Sequence, residues 1–473
     1  MKNSFLNKLV GFSIGPIVGA FISFITIPVT TYFVNPAEYG KASMFSLLQV
    51  LVATFIFLGF DQAYTREYHE AKDKLSLIKN ALFFPLTIAI LLLFVICANL
   101  NFVSNILFGA THFHLAAILF GITILLLVIE RFILLSIRMN EKAIEYSVVN
   151  ILMKTSILIF TILFLNYIRK DFLAVVYSSV IGQFVGDIYL IIRYRKFLNY
   201  FRYKFDGSVI IKMFLFGLPL IFSASLNSLL NSLDRIFLRS FSNFTEVGIF
   251  TAAQKVSAAL TIIQSSFTSF WVPTAYRWNS ENKDIKYFEI VSEVLLLIMS
   301  ILFTFILIFK DIITYLLSSN YTSSALIIGL LCLQPIMYTI SETTTLGIVF
   351  SRRSYLNIFV SVISVIPNIV LNIILVPKYG ANGAAIATAV SYIFFFLSRS
   401  FFSNKYWEGF SLRIHLIVTV VMFISALINV FIHKNIIYIN LITLIIIVAL
   451  QIGTFNKLHK IRGKKNKEKW DFS

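Results

Sequence analysis

A lysine deep inside an apolar stretch is the residue with the clearest chemistry in this sequence. Lys154 lies about ten residues from one end of its predicted helix, hence about 15 Å deep at about 1.5 Å per residue. Ser147, Asn150 and Thr161 recur with it at helical spacing, so all four share one stripe. A lysine within hydrocarbon costs about 2.5–3.5 kcal/mol. We therefore expect the fold to give Lys154 water or an anion.

Charged and amide side chains also occur inside other apolar stretches. They are Arg131, Lys255, Asn227, Asn231, Gln254, Asp187, Asp234 and Glu342, with Asp61 and Arg66 where one stretch ends. Buried carboxylates can bind H⁺ or Na⁺, and buried cations can balance an anion. Single polar side chains can instead join neighbouring helices, at about 0.6 kcal/mol each. Several coherent polar stripes favour a hydrated cavity over that alternative.

Some of these residues have two interpretations. Arg66 is either an anchor at the cytoplasmic end of its helix or a phosphate ligand. Glu342 and Asp187 each bind a cation or pair with a basic neighbour. Glu130 and Arg131 are adjacent, so they cannot share one face, and at least one of them needs a partner elsewhere.

The composition excludes a soluble protein. Of 473 residues, 58% are apolar and 13% are charged, and the mean hydropathy is +0.85. Soluble domains contain about 45–50% apolar and about 25% charged residues. The chain is therefore expected to be an all-α, polytopic membrane protein.

About fourteen stretches are long enough to cross a membrane, since about 20 apolar residues span about 30 Å of hydrocarbon. They are roughly 10–33, 41–62, 80–99, 113–136, 144–166, 171–192, 211–238, 247–272, 289–309, 323–349, 354–376, 383–403, 411–432 and 437–455. With the N-terminus inside, cytoplasmic segments collect most Lys and Arg residues, so both termini are expected to be cytoplasmic. Most of the net charge of +18 is then a topology signal rather than a nucleic-acid-binding surface.

Catalytic and cofactor-binding motifs are missing from the sequence. There is no G-x-x-x-x-G-K-[ST] phosphate loop and no D-x-D motif, and the longest predicted outer loop, Asn99–His112, is short. Cys97 and Cys332 lie in apolar runs, and His112 with His114 has no further ligands nearby. We expect no metal site, no cofactor and no enzymatic activity.

A weak internal repeat divides the chain. Gly15-Pro16 precedes Glu38-Tyr39-Gly40 as Gly217-Leu218-Pro219 precedes Glu246-Val247-Gly248. Membrane transport proteins are often built from such repeated bundles. The predicted parts are a six-helix N-terminal lobe (1–192), a basic cytoplasmic linker (193–210), a six-helix C-terminal lobe (211–403), two further helices (404–455) and a basic cytoplasmic tail (456–473).

Several short motifs occur along most of the chain. They are Pro28 through Pro36-Ala37-Glu38-Tyr39-Gly40, Gly59-Phe60-Asp61, Gly217-Leu218-Pro219, Asp234-Arg235, Glu246-Val247-Gly248-Ile249-Phe250, and Pro377-Lys378-Tyr379-Gly380 with Gly383-Ala384-Ala385-Ile386-Ala387-Thr388. On these motifs the chain resembles the multidrug/oligosaccharidyl-lipid/polysaccharide (MOP) exporter superfamily. Within it, the chain looks most like the polysaccharide-biosynthesis branch, the O-antigen and capsule repeat-unit flippases. The Pro-x-Tyr-Gly-x-x-Gly-Ala-Ala element is the most specific of them.

The resemblance implies two six-helix lobes around a central cavity that opens alternately to either side, plus two C-terminal helices that guide a lipid tail. The implied substrate is an oligosaccharide joined by pyrophosphate to undecaprenol, which crosses the bacterial cytoplasmic (inner) membrane for lipopolysaccharide O-antigen or capsule. Membrane lipids, H⁺ or Na⁺ as coupling ion, and polysaccharide polymerase or ligase neighbours are the expected partners.

For such a substrate, the depth and stripe placement of the polar residues suggest their roles. Cavity cations that balance pyrophosphate would be Lys154, Arg131, Lys255 and Arg66; amides that contact the glycan would be Asn150, Asn227, Asn231 and Gln254; ion-coupling carboxylates would be Asp61, Asp187, Asp234 or Glu342. The alternatives are a multidrug or toxin extruder of the same superfamily, a peptidoglycan-precursor flippase, and a membrane-embedded glycan polymerase or glycosyltransferase. An extruder of cationic drugs predicts deep acidic residues, whereas the deepest charge here is a lysine.

Overall fold

The computed structural model describes residues 2–195, 205–353, 355–432 and 434–463, and every regular element in these ranges is helical. The helices are α1 (Lys2–Phe33), α2 (Pro36–Ile56), α3 (Phe60–Glu67), α4 (Lys74–Ala98), α5 (Leu100–Phe108), α6 (His114–Met139), α7 (Ala143–Tyr167), α8 (Phe172–Arg193), α9 (Gly207–Phe241), α10 (Phe244–Ser257), α11 (Leu260–Ser280), α12 (Ile285–Tyr315), α13 (Ser324–Thr344), α14 (Leu346–Phe350), α15 (Leu356–Tyr406), α16 (Arg413–Phe431), α17 (Ile436–Leu450) and α18 (Ile452–Gly463). The predicted all-α class is confirmed.

Long apolar helices dominate the fold. Among the described residues, ten helices are long and apolar enough to cross a membrane, and α10 with α11, bent by 40° at their junction, would make an eleventh. Large apolar side chains such as Phe94 and Val420 are exposed on these helices, as lipid contact requires. The polytopic membrane class is therefore confirmed, whereas the count of fourteen spans stays a prediction.

Helix α15 folds back on itself at Gly380. This residue has φ 52° and ψ −128°, a positive-φ backbone that glycine adopts readily because it has no Cβ. A Cβ on Gly383 would lie 2.6 Å from the backbone of Leu375, whereas eight residues of straight helix span about 12 Å. The helix thus has two halves, which correspond to the predicted spans 354–376 and 383–403.

The chain forms two compact units, Met1–Ser232 and Leu233–Ser473. In the first unit, the side chain of Asn35 accepts a hydrogen bond from the N–H of Glu38 at the start of α2, at 3.0 Å. The carboxylate of Glu38 then accepts the N–H of Phe172, the first residue of α8, at 3.1 Å. One acidic side chain in the first turn of α2 therefore caps a second helix.

The second unit contains the same arrangement. The side chain of Asn243 accepts the N–H of Glu246 at the start of α10, at 3.0 Å. The carboxylate of Glu246 accepts the N–H of Ala381, the first residue after the break in α15, at 2.7 Å. The Glu-x-Gly elements that suggested a repeat thus occupy equivalent structural positions in their own units. The predicted lobe boundaries and the central cavity remain predictions.

The predicted outer loop Asn99–His112 differs from expectation because most of it is helix α5. The hydroxyl of Ser104 donates to the carbonyl of Ala110 at 2.5 Å and accepts the N–H of Phe113 at 3.0 Å. These bonds close the turn after α5. Helix α5 is too short to be recognised as a span by hydropathy, and it follows α4 directly. The sequence therefore indicated only a loop.

Two glycines set the crossing of α1 and α7. The N–H of Gly15 donates to the hydroxyl of Ser147 at 3.0 Å, and a Cβ on Gly15 would lie 2.4 Å from the Cα of Ser147. One turn later in α1, a Cβ on Gly19 would lie 3.4 Å from the Lys154 side chain. Small residues allow helices to approach closely in membranes. The approach places the stem of Lys154 against α1.

Buried amides tie the C-terminal helices to α12. Asn429 of α16 donates to the side-chain carbonyl of Asn440 on α17 at 2.7 Å, and Asn440 donates to the backbone carbonyl of Leu307 at 3.0 Å. Gln451 donates to the hydroxyl of Ser300 at 3.0 Å. Polar groups without partners are costly in lipid, so these bonds fix the pairing of α16 and α17 with α12. The predicted role of this helix pair in guiding a lipid tail stays a prediction.

Candidate functional site

Lys154 reaches the surface from the polar side of α7. Exposed aliphatic residues of the helix include Ile144, Val148 and Ile159, and at about 100° per residue Lys154 lies roughly 110° around the helix from the face that they form. Its stripe neighbours Ser147 and Thr161 are buried, but Lys154 itself is exposed. The Lys154 side chain is therefore exposed on the side of α7 that packs against α1.

Arg131 of α6 pairs with Asp61 of α3. The guanidinium donates to one carboxylate oxygen of Asp61 from Nη2 at 2.7 Å and from Nε at 3.3 Å. The backbone and side chain of Gln62 donate to the same carboxylate at 2.9 and 3.2 Å. The Arg131 side chain remains 43% exposed, whereas that of Asp61 is 9% exposed. An arriving anion would have to compete with Asp61 for the guanidinium.

A cavity of about 320 Å³ borders this ion pair. Asp61, Gln62 and Arg131 line it, together with apolar residues of α2, α6 and α9. Its volume is at the lower end of the range for small-ligand pockets, about 300–1,000 Å³. It is large enough for several waters or a phosphate group, and too small for an oligosaccharide.

The break between α2 and α3 positions Asp61 at that cavity. Leu58 and Gly59 both have positive φ, at 47° and 73°. A Cβ on Gly59 would lie 2.4 Å from the carbonyl oxygen of Gly217, so the two backbones touch where α9 passes the break. Consecutive positive-φ residues end the helix sharply. The predicted second span, 41–62, therefore stops at Ile56 and restarts as α3.

Arg66 lies near the end of α3 and contacts α9. Its guanidinium stacks over the ring of Phe216 at 4.3 Å and lies 3.9 Å from the carboxylate of Glu67. Lys212 holds the same carboxylate at 2.6 Å. The contacts tie α3 to the first turns of α9, and the role of Arg66 as a phosphate ligand stays a prediction.

A second polar cluster joins α2, α6 and α8. Gln49 donates to the side-chain carbonyl of Gln183 at 3.3 Å, and Gln183 donates to the carboxylate of Glu130 at 3.3 Å. Asp187 is 3% exposed and lies within hydrogen-bonding reach of the same Glu130 carboxyl group. Lys154 acts on Glu130 electrostatically through space. The adjacent Glu130 and Arg131 thus face different neighbours.

Asp234 is the centre of a buried site in the second unit. Its carboxylate accepts hydrogen bonds from Asn368 at 3.0 Å, from Asn372 at 2.8 Å and from the hydroxyl of Thr388 at 2.7 Å. All four side chains are at most 2% exposed. The helical spacing of Asn368 and Asn372 indicated their shared face, but their partner on α9 is more than 130 residues away.

The same four residues offer a set of oxygen ligands. The side-chain carbonyl of Asn372 is buried and accepts no hydrogen bond from the described residues. If the two amides turned over, they would present carbonyl oxygens beside the carboxylate and the hydroxyl. Transporters coordinate Na⁺ with such oxygens. The described residues contain no group of three or more His, Cys, Asp or Glu side chains placed to hold a metal.

Glu342 pairs with an arginine that did not stand out in the sequence. Arg399 donates to the carboxylate of Glu342 at 2.9 Å and to the hydroxyl of Ser341 at 2.7 Å. Its guanidinium lies over the rings of Tyr338 and Phe395 at 5.3 and 5.1 Å. Of the two interpretations of Glu342, this geometry matches pairing with a basic neighbour. Arg399 was missed because it lies near the end of an apolar run.

Lys255 lies in the last turn of α10, next to the bend into α11, and is exposed. A cation there is favoured by the partial negative charge at the end of the helix. Gln254 precedes it and is partly buried. The bend breaks the predicted span 247–272 in two.

The remaining amide candidates are dispersed. Asn150 donates to the carbonyl of Tyr146 in its own helix at 2.8 Å. Asn231 is exposed. The side chain of Asn227 lies outside the part of the structure that is described. The candidate carboxylates that contact distant partners are therefore Asp61 with Arg131, Asp187 with Glu130, Glu342 with Arg399, and Asp234 with its amide partners.

A family model described as polysaccharide biosynthesis protein matches residues 6–278, more than half of the chain. Among curated proteins, the chain is similar to the probable low-salt glycan biosynthesis flippase Agl15 of Haloferax volcanii, at 26% identity over 164 residues. That alignment covers 34% of this chain and 35% of the relative, so the chain matches about a third of the relative's length.

Solved structures share the fold at low sequence identity. The lipid II flippase MurJ in its inward closed conformation aligns with a TM-score of 0.70, at 14% identity, over 96% of this chain and 99% of that chain. An inward-facing multidrug resistance MATE family transporter of the MOP superfamily aligns with a TM-score of 0.62, at 14% identity, over 84% and 97%. These proteins are flippases and transporters rather than catalysts, in line with the expectation that the chain is not an enzyme.

Proposed function

The chain belongs to the polysaccharide biosynthesis protein family and has the fold of MOP transporters, and on that premise we propose that it is a flippase for a lipid-linked glycan. The proposed substrate is an oligosaccharide repeat unit joined by pyrophosphate to undecaprenol. The proposed site of action is the bacterial cytoplasmic membrane, with both termini on the cytoplasmic side. The glycan would serve O-antigen or capsule synthesis, beside polymerase or ligase partners.

The observation that carries this proposal is the exposed side chain of Lys154 on the packed side of α7. A lysine facing acyl chains is costly, whereas a lysine in a wet cavity balances an anionic headgroup. The pyrophosphate of a prenyl carrier is such a headgroup. Arg131, Lys255 and Arg66 would add positive charge along the route, and the exposed amide of Asn231 is suited to sugar hydroxyls.

The cluster around Asp234 supports ion coupling. Movement of a charged headgroup across the membrane needs a driving force, and a cation gradient supplies one. Asp234, Asn368, Asn372 and Thr388 form a buried, oxygen-rich set that suits Na⁺. We assign ion coupling to this set within the second unit.

The proposal is tested by replacing Lys154 in a host whose surface glycan depends on the protein. Lys154→Ala is expected to reduce surface glycan strongly at equal protein abundance. Lys286→Ala is the matched control, since Lys286 is an exposed lysine at a helix start, with its ammonium group 3.2 Å from the carboxylate of Asp284. Undiminished glycan in Lys154→Ala would remove Lys154 from the mechanism.

The same strains separate the rival functions. A deletion that lowers surface glycan and leaves drug susceptibility unchanged supports the glycan flippase. A deletion that changes drug susceptibility with normal glycan supports a multidrug extruder instead. Rescue of a strain without its peptidoglycan-precursor flippase would assign that substrate to this chain.

A further inference from the structure

Asp187 of α8 is a buried carboxylate without a conventional hydrogen-bond donor. It is 3% exposed, and neither of its oxygen atoms accepts an N–H or O–H from the described residues. Removing a carboxylate from water without such donors is strongly unfavourable. The group within its hydrogen-bonding reach is another carboxyl, that of Glu130 on α6.

Glu130 has a donor that Asp187 lacks. The side-chain carbonyl of Gln183 accepts a hydrogen bond from the amide NH2 of Gln49. The amide NH2 of Gln183 in turn donates to the carboxylate of Glu130. Lys154 adds a positive charge that favours an ionised Glu130. The two carboxyl groups are therefore not equivalent: the surroundings stabilise negative charge on Glu130 and none on Asp187.

The other charged groups around the pair do not balance a negative charge on Asp187. Arg131 of α6 faces Asp61 of α3, with which it forms an ion pair at 2.7 Å. Helix α2 contributes the neutral Gln49, and α5 carries no charged residue. The remaining charged residues of the helices that pack on α6 and α8 lie near helix ends and are Glu38, Lys41, Arg66, Glu67, Lys74, Lys79, His114, Arg138, Glu145 and Arg193.

We propose that Glu130 and Asp187 form a proton-binding site in which Asp187 carries the proton and donates it to the Glu130 carboxylate. Two carboxylates in contact repel each other, and one proton between them converts the contact into a strong hydrogen bond. Water supplies the proton, and no other bond is made or broken. Charge then balances locally, with Glu130 opposite Lys154 and Asp187 neutral.

This site links proton uptake to anion binding at Lys154. A negative charge that arrives at the ammonium group weakens the field of Lys154 at Glu130, and Glu130 then takes a second proton from water. By linkage, the proton and the anion each strengthen the binding of the other. The proton site itself does not depend on which molecule the protein carries.

Infrared difference spectroscopy of the purified full-length protein tests the site. The C=O stretch of a protonated carboxyl group is expected in the wild type at neutral pH and declines as the pH rises. Glu130→Gln and Asp187→Asn each remove that band, because the new amide donates to the remaining carboxylate and no proton is needed. Asp61→Asn is the control and leaves the band, since Asp61 pairs with Arg131 at 2.7 Å and is not part of the Glu130–Asp187 contact.

Lys154→Met tests the link to the ammonium group. Without that positive charge the pair binds its proton more tightly, so the band persists to higher pH. An unchanged midpoint in Lys154→Met would overturn the link between the pair and Lys154. Thermal unfolding of each variant checks that it is folded. If either Glu130→Gln or Asp187→Asn does not fold, the other variant still tests the site.

A wild-type protein without the band at any pH would overturn the proton site. A band that survives in both Glu130→Gln and Asp187→Asn would do the same. The measurement uses no glycan, so its failure would leave the proposed transport function standing. Conversely, an intact band with normal glycan export in Lys154→Ala would reject the transport role of Lys154 and retain the proton site.

Discussion

At the scale of single residues, the charges inside the helices differ in how far they are neutralised. Arg131 and Arg399 each bind a carboxylate at 2.7 and 2.9 Å, respectively. Lys154 is exposed, and it interacts with the carboxyl group of Glu130 electrostatically and without a hydrogen bond. A cation without a bound carboxylate is the one most available to an incoming anion. Lys154 is therefore the central residue of the proposed mechanism.

Asp234 gives a prediction at the same scale. Replacement of Asp234 by Asn removes the negative charge and adds N–H donors to a site already supplied with donors. We expect the wild type to melt at higher temperature in Na⁺ than in choline, since a ligand at about 100 times its Kd adds about 2.7 kcal/mol of stability. Asp234→Asn should lose this difference.

Asp187→Asn is the control for that measurement, because Asp187 belongs to the other unit and should retain the Na⁺ effect. Identical melting of the wild type in Na⁺ and choline would reject the cation site. A Na⁺ effect that persists in Asp234→Asn would place the site elsewhere.

Residue types could be predicted from the sequence better than residue partners. The positions of Asp61, Asp187 and Glu342 within apolar stretches were evident, because charge stands out against apolar neighbours. Their partners Arg131, Glu130 and Arg399 lie 70, 57 and 57 residues away in the chain. Such pairs form by helix packing, which hydropathy and spacing do not encode.

At the scale of helices, one acidic side chain in each unit caps a distant helix. Glu38→Ala removes the acceptor for the N–H of Phe172, and Glu246→Ala removes the acceptor for the N–H of Ala381. Each change is expected to destabilise the protein by about 0.5–2 kcal/mol, as loss of a helix cap does. Thermal unfolding in detergent measures both.

Glu281→Ala is the matched control for the caps, since Glu281 is about half exposed and forms loose ion pairs with Arg277 and Lys283, at 4.0 and 3.9 Å. Exposed pairs of this kind contribute little, about 0–1 kcal/mol. Equal unfolding temperatures for Glu38→Ala, Glu246→Ala and the control would contradict the capping role.

The packing of α1 on α7 gives a graded prediction. Gly15→Ala introduces a Cβ 2.4 Å from the Cα of Ser147, so one helix must shift, at about 1–3 kcal/mol for overpacking. Gly19→Ala meets only the flexible stem of Lys154, at 3.4 Å, and should be near neutral. Thermal unfolding compares the two. A larger decrease in unfolding temperature for Gly19→Ala than for Gly15→Ala would contradict this packing.

Helix existence followed from apolar run length, but helix breaks did not. The break at Leu58 and Gly59 and the reversal at Gly380 occur where positive φ is stabilised by close backbone or side-chain contacts, with Gly217 and Glu246. The repeat motif nevertheless pointed to Glu38 and Glu246, because a cap needs the same residue type at the same helical position.

At the scale of the whole molecule, an all-helical MOP fold follows from composition and motifs together. A chain with 58% apolar and 13% charged residues can place most of its surface against lipid. The transport proposal adds that the polar faces of its helices escort a phosphate-bearing headgroup while the lipid tail stays in the bilayer. That claim concerns movement of a substrate, so it is tested most directly by transport.

The decisive measurement is flipping of a fluorescent prenyl-pyrophosphate oligosaccharide in proteoliposomes that contain the purified protein. The account predicts rapid flipping by the wild type and by Lys286→Ala, and flipping roughly ten- to a hundredfold slower in Lys154→Ala, the loss expected for one charge-assisted hydrogen bond of about 1.5–3 kcal/mol. It also predicts that a glycolipid without phosphate moves poorly. Equal rates for Lys154→Ala and the wild type, or equal rates for the two lipids, would contradict it.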